Sequence, residues 1–299
     1  MQSENLKKGN NTMDNILEVR NLKKTIEENK FSICIDSLDI PKGAIVGLIG
    51  ENGAGKTSFL KLIMNIYGRE SGKITGFYGI DNVMHEPEFK NLIGYVPDDD
   101  YLTVNITPAK IASAFSSVFR KWDNSVFKKY MDMWQIDTGK KCGTLSKGMK
   151  TKVMLALALA HSPALLILDE PTAGLDPAAR LEILDILREF VSDGERSVIF
   201  STHITGDLDK TADYIAMITD GRLCEMLSSD EAQEKYAVVS GDGVPSDSSL
   251  LIGVKTNSTG YEALSLRENI PALGDVAVRT PNYEDLLVHT ILQNRENHR

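Results

Sequence analysis

At 299 residues, with 42% hydrophobic and 25% charged side chains, the chain has an ordinary globular composition and room for one large core or two modest ones. A net charge of −9, from 33 basic and 42 acidic residues, argues against a broad nucleic-acid-binding face, and no nucleic acid is expected as a partner. Cys34, Cys142 and Cys224 lie far apart and in no C-x-x-C spacing, so neither a disulfide frame nor a zinc site organises the fold; a reducing cytosol suits them. The longest apolar run, Val153 to Ala160, falls far short of the roughly 20 residues that cross a bilayer.

Residues 1–15 are polar and aperiodic and read as a flexible arm. Ile16 to Arg20 and the alternating Ile33, Ile35, Leu38 and Ile40 read as strands of a half-buried sheet, followed by the turn Pro41-Lys42-Gly43. The apolar strand Ile45 to Ile49 then runs directly into Gly50-Glu51-Asn52-Gly53-Ala54-Gly55-Lys56-Thr57. This matches G-x-x-x-x-G-K-[ST], a phosphate-binding P-loop in its expected strand-to-helix context. Gly53 and Gly55 let the backbone turn tightly enough for consecutive N–H groups to face one anion, and the helix that begins there adds the positive end of its dipole. Gly50, Asn52, Gly53, Ala54, Gly55, Lys56, Thr57 and Ser58 form the expected binding set. Lys56 is placed to reach the β- and γ-phosphates and the Thr57 hydroxyl to ligate Mg²⁺. The motif specifies a nucleotide phosphate and leaves the nucleotide and the task open.

The P-loop helix is expected to run to about Tyr67, followed by a Gly-punctuated segment from Gly68 to Gly79. The short strand Ile93 to Val96 ends at Pro97 and the acidic run Asp98-Asp99-Asp100. From Thr107 to about Gln135 the pattern is helical and holds both tryptophans, Trp122 and Trp134. Phe115, Phe119, Phe127 and Tyr130 there read first as the core of a small helical subdomain and second as a docking face. A helix from Ser146 to His161 is stopped by Pro163, and Leu165 to Leu168 is a fully apolar strand ending in Asp169-Glu170. Asp176 as N-cap and Pro177 at the first position open a helix to about Ser192, with Leu181, Leu184, Leu187 and Val191 expected on its inward face. Ser197 to Phe200 is a strand leading into Ser201-Thr202-His203, and Asp220-Gly221 is the two-residue turn of a hairpin. After Tyr236 a Gly/Ser/Asp-rich loop precedes a strand over Leu251 to Val254, a helical stretch, a strand over Val276 to Val278 and a last helix from Asn282 to about Gln293. Together these make a small α+β appendage without a motif.

A carboxylate pair ending an apolar strand downstream of a P-loop is the Walker B arrangement. Between the two motifs stands Leu145-Ser146-Lys147-Gly148-Met149, and after them come Ala173-Gly174-Leu175-Asp176 and His203. In this ordered series the chain resembles the nucleotide-binding subunit of an ATP-binding cassette (ABC) transporter, over about Leu17 to Leu227. The resemblance implies an α/β P-loop NTPase core of ABC ATPase type with an antiparallel β subdomain and a helical subdomain. The ATPase domain would span residues 16–235, its helical part about 98–145, and a C-terminal accessory domain 236–299. It implies ATP and Mg²⁺ as cofactors, Asp169 as the residue holding the metal, Glu170 as general base, Lys56 as the γ-phosphate cation, and His203 as the switch histidine. Ser146 and Gly148 resemble the family signature, and the resemblance implies that they would face the nucleotide of a second cassette in a head-to-tail dimer, homo- or heteromeric, with Asp176 on the seam beside that nucleotide.

The signature departs from the common L-S-G-G-Q at Lys147 and Met149. Asp98 stands where many cassettes carry glutamine and becomes a candidate metal ligand, direct or through water, which when ionised donates no hydrogen bond. The adenine-stacking position aligns with Ile26, leaving Phe31 as the substitute. These features resemble bacterial cassettes paired with small export permeases. An ATPase motor held on the inner face of the membrane by an integral permease is therefore expected. The alternatives are a soluble, non-transport ABC ATPase and a degenerate regulatory cassette.

Overall fold

Strands of two kinds divide the molecule: short ones buried on both faces, and longer ones that alternate. In the computed structural model, which describes residues 15–26, 31–77, 79–98, 102, 105–243 and 248–297, both kinds share one large sheet. The arm expected over residues 1–15 falls outside the described residues except for Asn15, which opens the first strand; Asp99 and Asp100 also lie outside them.

The described elements start with β1 (Asn15–Ile26) and β2 (Phe31–Pro41), then β3 (Ile45–Ile49) and α1 (Lys56–Ile63). Next come β4 (Ser71–Gly76), β5 (Ile80–Asp81), α2 (Glu86–Asn91), β6 (Ile93–Val96), α3 (Pro108–Val118), α4 (Asn124–Met133) and α5 (Lys147–Leu159). The second half holds β7 (Leu165–Asp169), α6 (Pro177–Val191), β8 (Ser197–Ser201), α7 (Thr205–Thr211), β9 (Tyr214–Thr219), β10 (Arg222–Ser228) and α8 (Ser229–Lys235). It closes with β11 (Tyr236–Asp242), β12 (Ile252–Thr256), β13 (Gly260–Leu266), β14 (Ala277–Arg279) and α9 (Tyr283–Asn297).

The ten-stranded sheet has the order β5-β4-β1-β2-β10-β9-β3-β8-β7-β6. From β9 to β6 every neighbour is parallel, and β3, β7 and β8 are buried at every residue, as a sheet covered on both faces requires. Successive side chains go to opposite faces. Val46, Leu48, Leu165, Ile167 and Ile199 therefore join the cluster around α1, while Ile45, Ile49, Leu166, Leu168 and Phe200 join the one around α5 and α6. On the other side β1, β2, β4 and β5 are antiparallel, joined to the core where Cys34 pairs with Arg222. No helix among the described residues is long and apolar enough to cross a membrane, and none of the three cysteines is in a disulfide.

Most element expectations hold, and four shift for physical reasons. The P-loop helix stops at Ile63 rather than Tyr67, because Asn65 adopts φ 50°, the left-handed stop that asparagine tolerates. The Gly-punctuated segment contains β4, a polar strand with only Ile74 and Gly76 buried, made by pairing with β1 rather than by its own pattern. On α6 the inward face is Ile183, Leu184, Ile186, Leu187 and Phe190; Leu181 is 47% exposed, so the apolar stripe is rotated by about one residue from the expected one. In the appendage most of the stretch expected as helical is β13, paired residue for residue with β11 from Tyr236↔Leu266 to Asp242↔Gly260; only a short 3-10 turn, Arg267–Ala272, follows.

The aromatic segment packs inward. Phe127 and Tyr130 are buried, Phe119 stacks on His161 at 4.1 Å, Tyr130 on Trp134 at 5.1 Å, and the group is continuous with the main core rather than separate from it. The appendage behaves likewise. One face of its four-stranded sheet has its own cluster of Val239, Leu251, Tyr261 and Ala263, while Val238, Leu264, Tyr283 and Leu286 join the main core.

Candidate functional site

The loop between β3 and α1 is shaped by glycines. Gly53 and Gly55 adopt φ 83° and 105°, and a Cβ on Gly50 would meet the Ile218 carbonyl at 2.2 Å, so the loop lies tight against β9. Lys56, 7% exposed, folds back into this loop and donates to the carbonyls of Gly50 at 2.8 Å and Glu51 at 3.2 Å. Its Nζ stands 4.0 Å from Glu170 Oε1. Burial holds the ammonium below the usual lysine range, against the opposing pull of Glu170 and then Asp169. Asn52, Gly53 and Thr57 face solvent, Ser58 is half-buried and Ala54 buried. A left-handed glycine loop, a buried cation and an exposed hydroxyl at a helix start fit a nucleotide phosphate. Phe31 packs on this loop: a Cβ on Gly55 would come 3.0 Å from its ring.

Asp169 ends β7 and is 2% exposed. Its Oδ1 accepts from the Ser201 hydroxyl of neighbouring β8 at 2.5 Å. Glu170 follows at φ 47°, and its amide donates to Ser201 Oγ at 2.9 Å and Ser201 O at 3.1 Å. This left-handed turn aims the Glu170 carboxylate away from the strand. There Oε2 accepts from His203 Nδ1 at 2.8 Å. Lys56, Asp169, Glu170 and His203 are thus brought together from three adjacent parallel strands and the loops that follow them.

The signature stretch is placed separately. Ser146 caps α5 by accepting from the Met149 amide at 3.3 Å. A Cβ on Gly148 would lie 3.0 Å from Leu175, so the signature helix packs on the segment before Asp176. Asp176 caps α6, accepting from Ala178 and Ala179 amides at 3.0 Å each; these bonds, that of Ala179 foremost, hold its carboxyl below the usual range. Asp98 is exposed and pairs with the signature's own Lys147 at 3.3 Å. Among the described residues no hydrogen bond or ion pair joins Ser146, Gly148, Asp176 or Asp98 to Lys56, Asp169, Glu170 or His203.

Three features at the site lie outside the sequence motifs. Ser201, under the carboxylate pair, was visible only as part of Ser201-Thr202-His203. Thr172 donates to the buried Asp207 on α7 at 2.8 Å, with Arg180 3.7 Å from that carboxylate, which ties the segment after Glu170 to the helix after His203. A third contact has no sequence signal at all: Arg295 near the end of α9 pairs with Glu51 of the P-loop, 244 residues away.

The ABC transporter family profile matches residues 35–173, and an AAA domain profile matches residues 141–208. The chain is 33% identical over 221 residues to the ABC transporter ATP-binding protein YtrB of Bacillus subtilis, covering 74% of this chain and 75% of that protein. It is 32% identical to the lantibiotic transport ATP-binding protein SrtF of Streptococcus pyogenes, over 70% of this chain and 89% of that one. The bacitracin transport ATP-binding protein BcrA of Bacillus licheniformis is 27% identical over 75% of this chain and 73% of its own. Among solved structures, cbiO1 of Clostridium perfringens, part of the ABC transporter complex cbiONQ, superposes with a TM-score of 0.61 at 26% identity, covering 72% of this chain and 89% of that one. A dimeric ATP-binding cassette bound to ADP and Pi shares the fold with a TM-score of 0.61 at 20% identity, over 71% of this chain and 98% of its own. With this order of motifs on this sheet, and relatives matched over most of both chains, the protein belongs to the ATP-binding subunits of ABC transporters, which are ATPases.

Proposed function

We propose that the chain is the motor of a bacterial ABC exporter, held at the inner face of the membrane by a separate integral permease and closing with a second cassette over two nucleotides. The observation that carries the chemistry is the Glu170 carboxylate, with one oxygen on His203 at 2.8 Å and the other 4.0 Å from Lys56. In this reading Glu170 accepts a hydrogen bond from the attacking water, whose oxygen bonds to the γ-phosphorus as the bond to the bridging oxygen breaks, giving ADP and phosphate. His203 holds Glu170 and reaches the γ-phosphate, and Lys56 offsets charge that develops on the β- and γ-phosphoryl oxygens. Thr57 and Asp169 are the residues that would hold Mg²⁺, which when bound supplies further neutralisation of the phosphates. Asp98 is the third candidate for the metal; its pairing with Lys147 at 3.3 Å must open first.

The second half of the site is assigned to the partner cassette. Ser146, Gly148 and Asp176 make no hydrogen bond or ion pair with the phosphate-loop residues of their own chain among the described residues, and two-chain closure accounts for their arrangement. In this division residues 16–235 are the ATPase domain, about 98–145 its helical part facing the permease, and 236–299 the accessory part. Relatives named for lantibiotic and bacitracin transport support a transport motor and, with the variant signature, the outward direction.

The test is co-purification. Tagged Glu170→Gln, trapped with Mg-ATP and solubilised in mild detergent from its own cells, should bring down a polytopic membrane protein at matching abundance. Recovery of a ribosomal or other soluble complex without a membrane protein would overturn the reading.

A further inference from the structure

We propose that Ser201 is a positioning residue that fixes the Asp169 carboxylate and the Glu170 backbone through one hydroxyl, an inference resting on the assignment of Asp169 and Glu170 above. Ser201 is fully buried and lies directly across from Asp169 in the parallel β7–β8 register. A hydroxyl has one proton to give and an amide N–H can only donate, so the two contacts fix each other's direction. The Glu170 amide points at Ser201 Oγ at 2.9 Å, and the Ser201 proton therefore goes to Asp169 Oδ1 at 2.5 Å. Asp169 Oδ1 is thereby oriented by the Ser201 hydroxyl, and Oδ2 is the oxygen assigned to the metal.

The same contact governs Glu170. At φ 47° this residue occupies a backbone region that L side chains seldom adopt, and the Ser201 hydroxyl and carbonyl together hold the amide there. The strand that ends in Ser201 also carries His203 two residues on, so β8 holds Glu170 by its backbone at one end and by its carboxylate at the other. Removing the hydroxyl leaves the Glu170 amide its second acceptor, Ser201 O at 3.1 Å, but leaves Asp169 Oδ1 without the donor that oriented it. Loss should therefore fall on metal binding first and on the base second.

The experiment measures ATP affinity with Mn²⁺ and in EDTA, and the electron paramagnetic resonance of bound Mn²⁺, in the Glu170→Gln background, which removes turnover. Ser201→Ala should weaken Mn-ATP binding about 10-fold and leave metal-free ATP binding within about twofold. Ser201→Thr, which keeps the hydroxyl, should restore it. In the otherwise native chain, Ser201→Ala should lower kcat and recover part of it at raised Mg²⁺. Should Ser201→Ala not fold, Ser201→Cys, a weak donor on longer bonds, carries the test with the same expected order. Asp169→Asn is the control. If it weakens Mn-ATP and the Ser201 variant does not, the proposal fails and the Walker B reading stands; if Asp169→Asn has no effect, the reading itself fails.

Discussion

Glu170 bridges two side chains that reach it from beyond different strands: its Oε2 accepts from His203 Nδ1 at 2.8 Å while its Oε1 lies 4.0 Å from Lys56 Nζ. The carboxylate is 12% exposed and Lys56 7%, so the arrangement is held mostly out of water, whereas His203, at 51%, stays open to whatever enters. In its proposed role as general base, a carboxylate fixed from the protein side and approached by substrate from the other is what water activation needs.

Replacing Glu170 should separate binding from chemistry. Glu170→Gln keeps the shape and the contact with His203 but loses the acceptor charge, and should lower kcat by at least about 100-fold with ATP affinity little changed. His203→Ala should lower kcat by a similar order. Single-turnover hydrolysis and equilibrium ATP binding, measured side by side, check both; a Glu170→Gln variant with unaltered turnover removes Glu170 as base.

The strand β5 offers a test of stability. Burial pushes the Asp81 carboxyl up, but the amides of Met84 and Val83 and a two-pronged contact from Arg69 at 3.0 and 3.1 Å outweigh it, holding the group below the usual carboxylate range. A depressed folded-state value means that its stabilisation is present above the unfolded value of about 4 and is lost as pH falls through the folded one. Asp81→Asn should therefore cost about 2 kcal/mol at neutral pH. Urea unfolding at pH 7 and at successively lower pH should show the gap to the native chain closing on the acid side.

The pair between Arg295 and Glu51 ties the last helix to the P-loop, yet its side chains are 62% and 37% exposed. Exposed pairs contribute about 0–1 kcal/mol, so Arg295→Ala should shift ATP affinity by less than about fivefold, and the shift should shrink with added salt. A salt-independent loss of ATP binding in this variant would give α9 a larger part in the site than the pair alone supplies.

How far the sequence reached depended on whether a feature was local. The all-buried β3 and β7 were legible because fully apolar runs ending in Gly50 and Asp169 have few other readings, and the caps Ser146 and Asp176 because capping is decided within three residues. The strand β4 was not legible: its polar sequence is a strand only because β1 supplies the partner. β13 reads as helical in isolation because a stretch like Glu262-Ala263-Leu264 forms helices as readily, and only pairing with β11 decides against it. At the site, the residues that touch phosphate or metal in the family pattern stand in motifs, whereas Ser201 acts through a strand neighbour and Arg295 across 244 positions, distances that no local pattern encodes.

In the two-chain closure proposed above, hydrolysis needs both cassettes, with Ser146 and Gly148 serving a nucleotide bound to the partner. The direct measurement is the mass of Glu170→Gln by light scattering with and without Mg-ATP, together with the ATPase rate per mole of the native chain on dilution. Nucleotide should double the mass, Ser146→Arg should prevent the doubling, and the specific rate should fall on dilution. A monomer under all conditions, with a specific rate that never changes, would contradict two-chain closure.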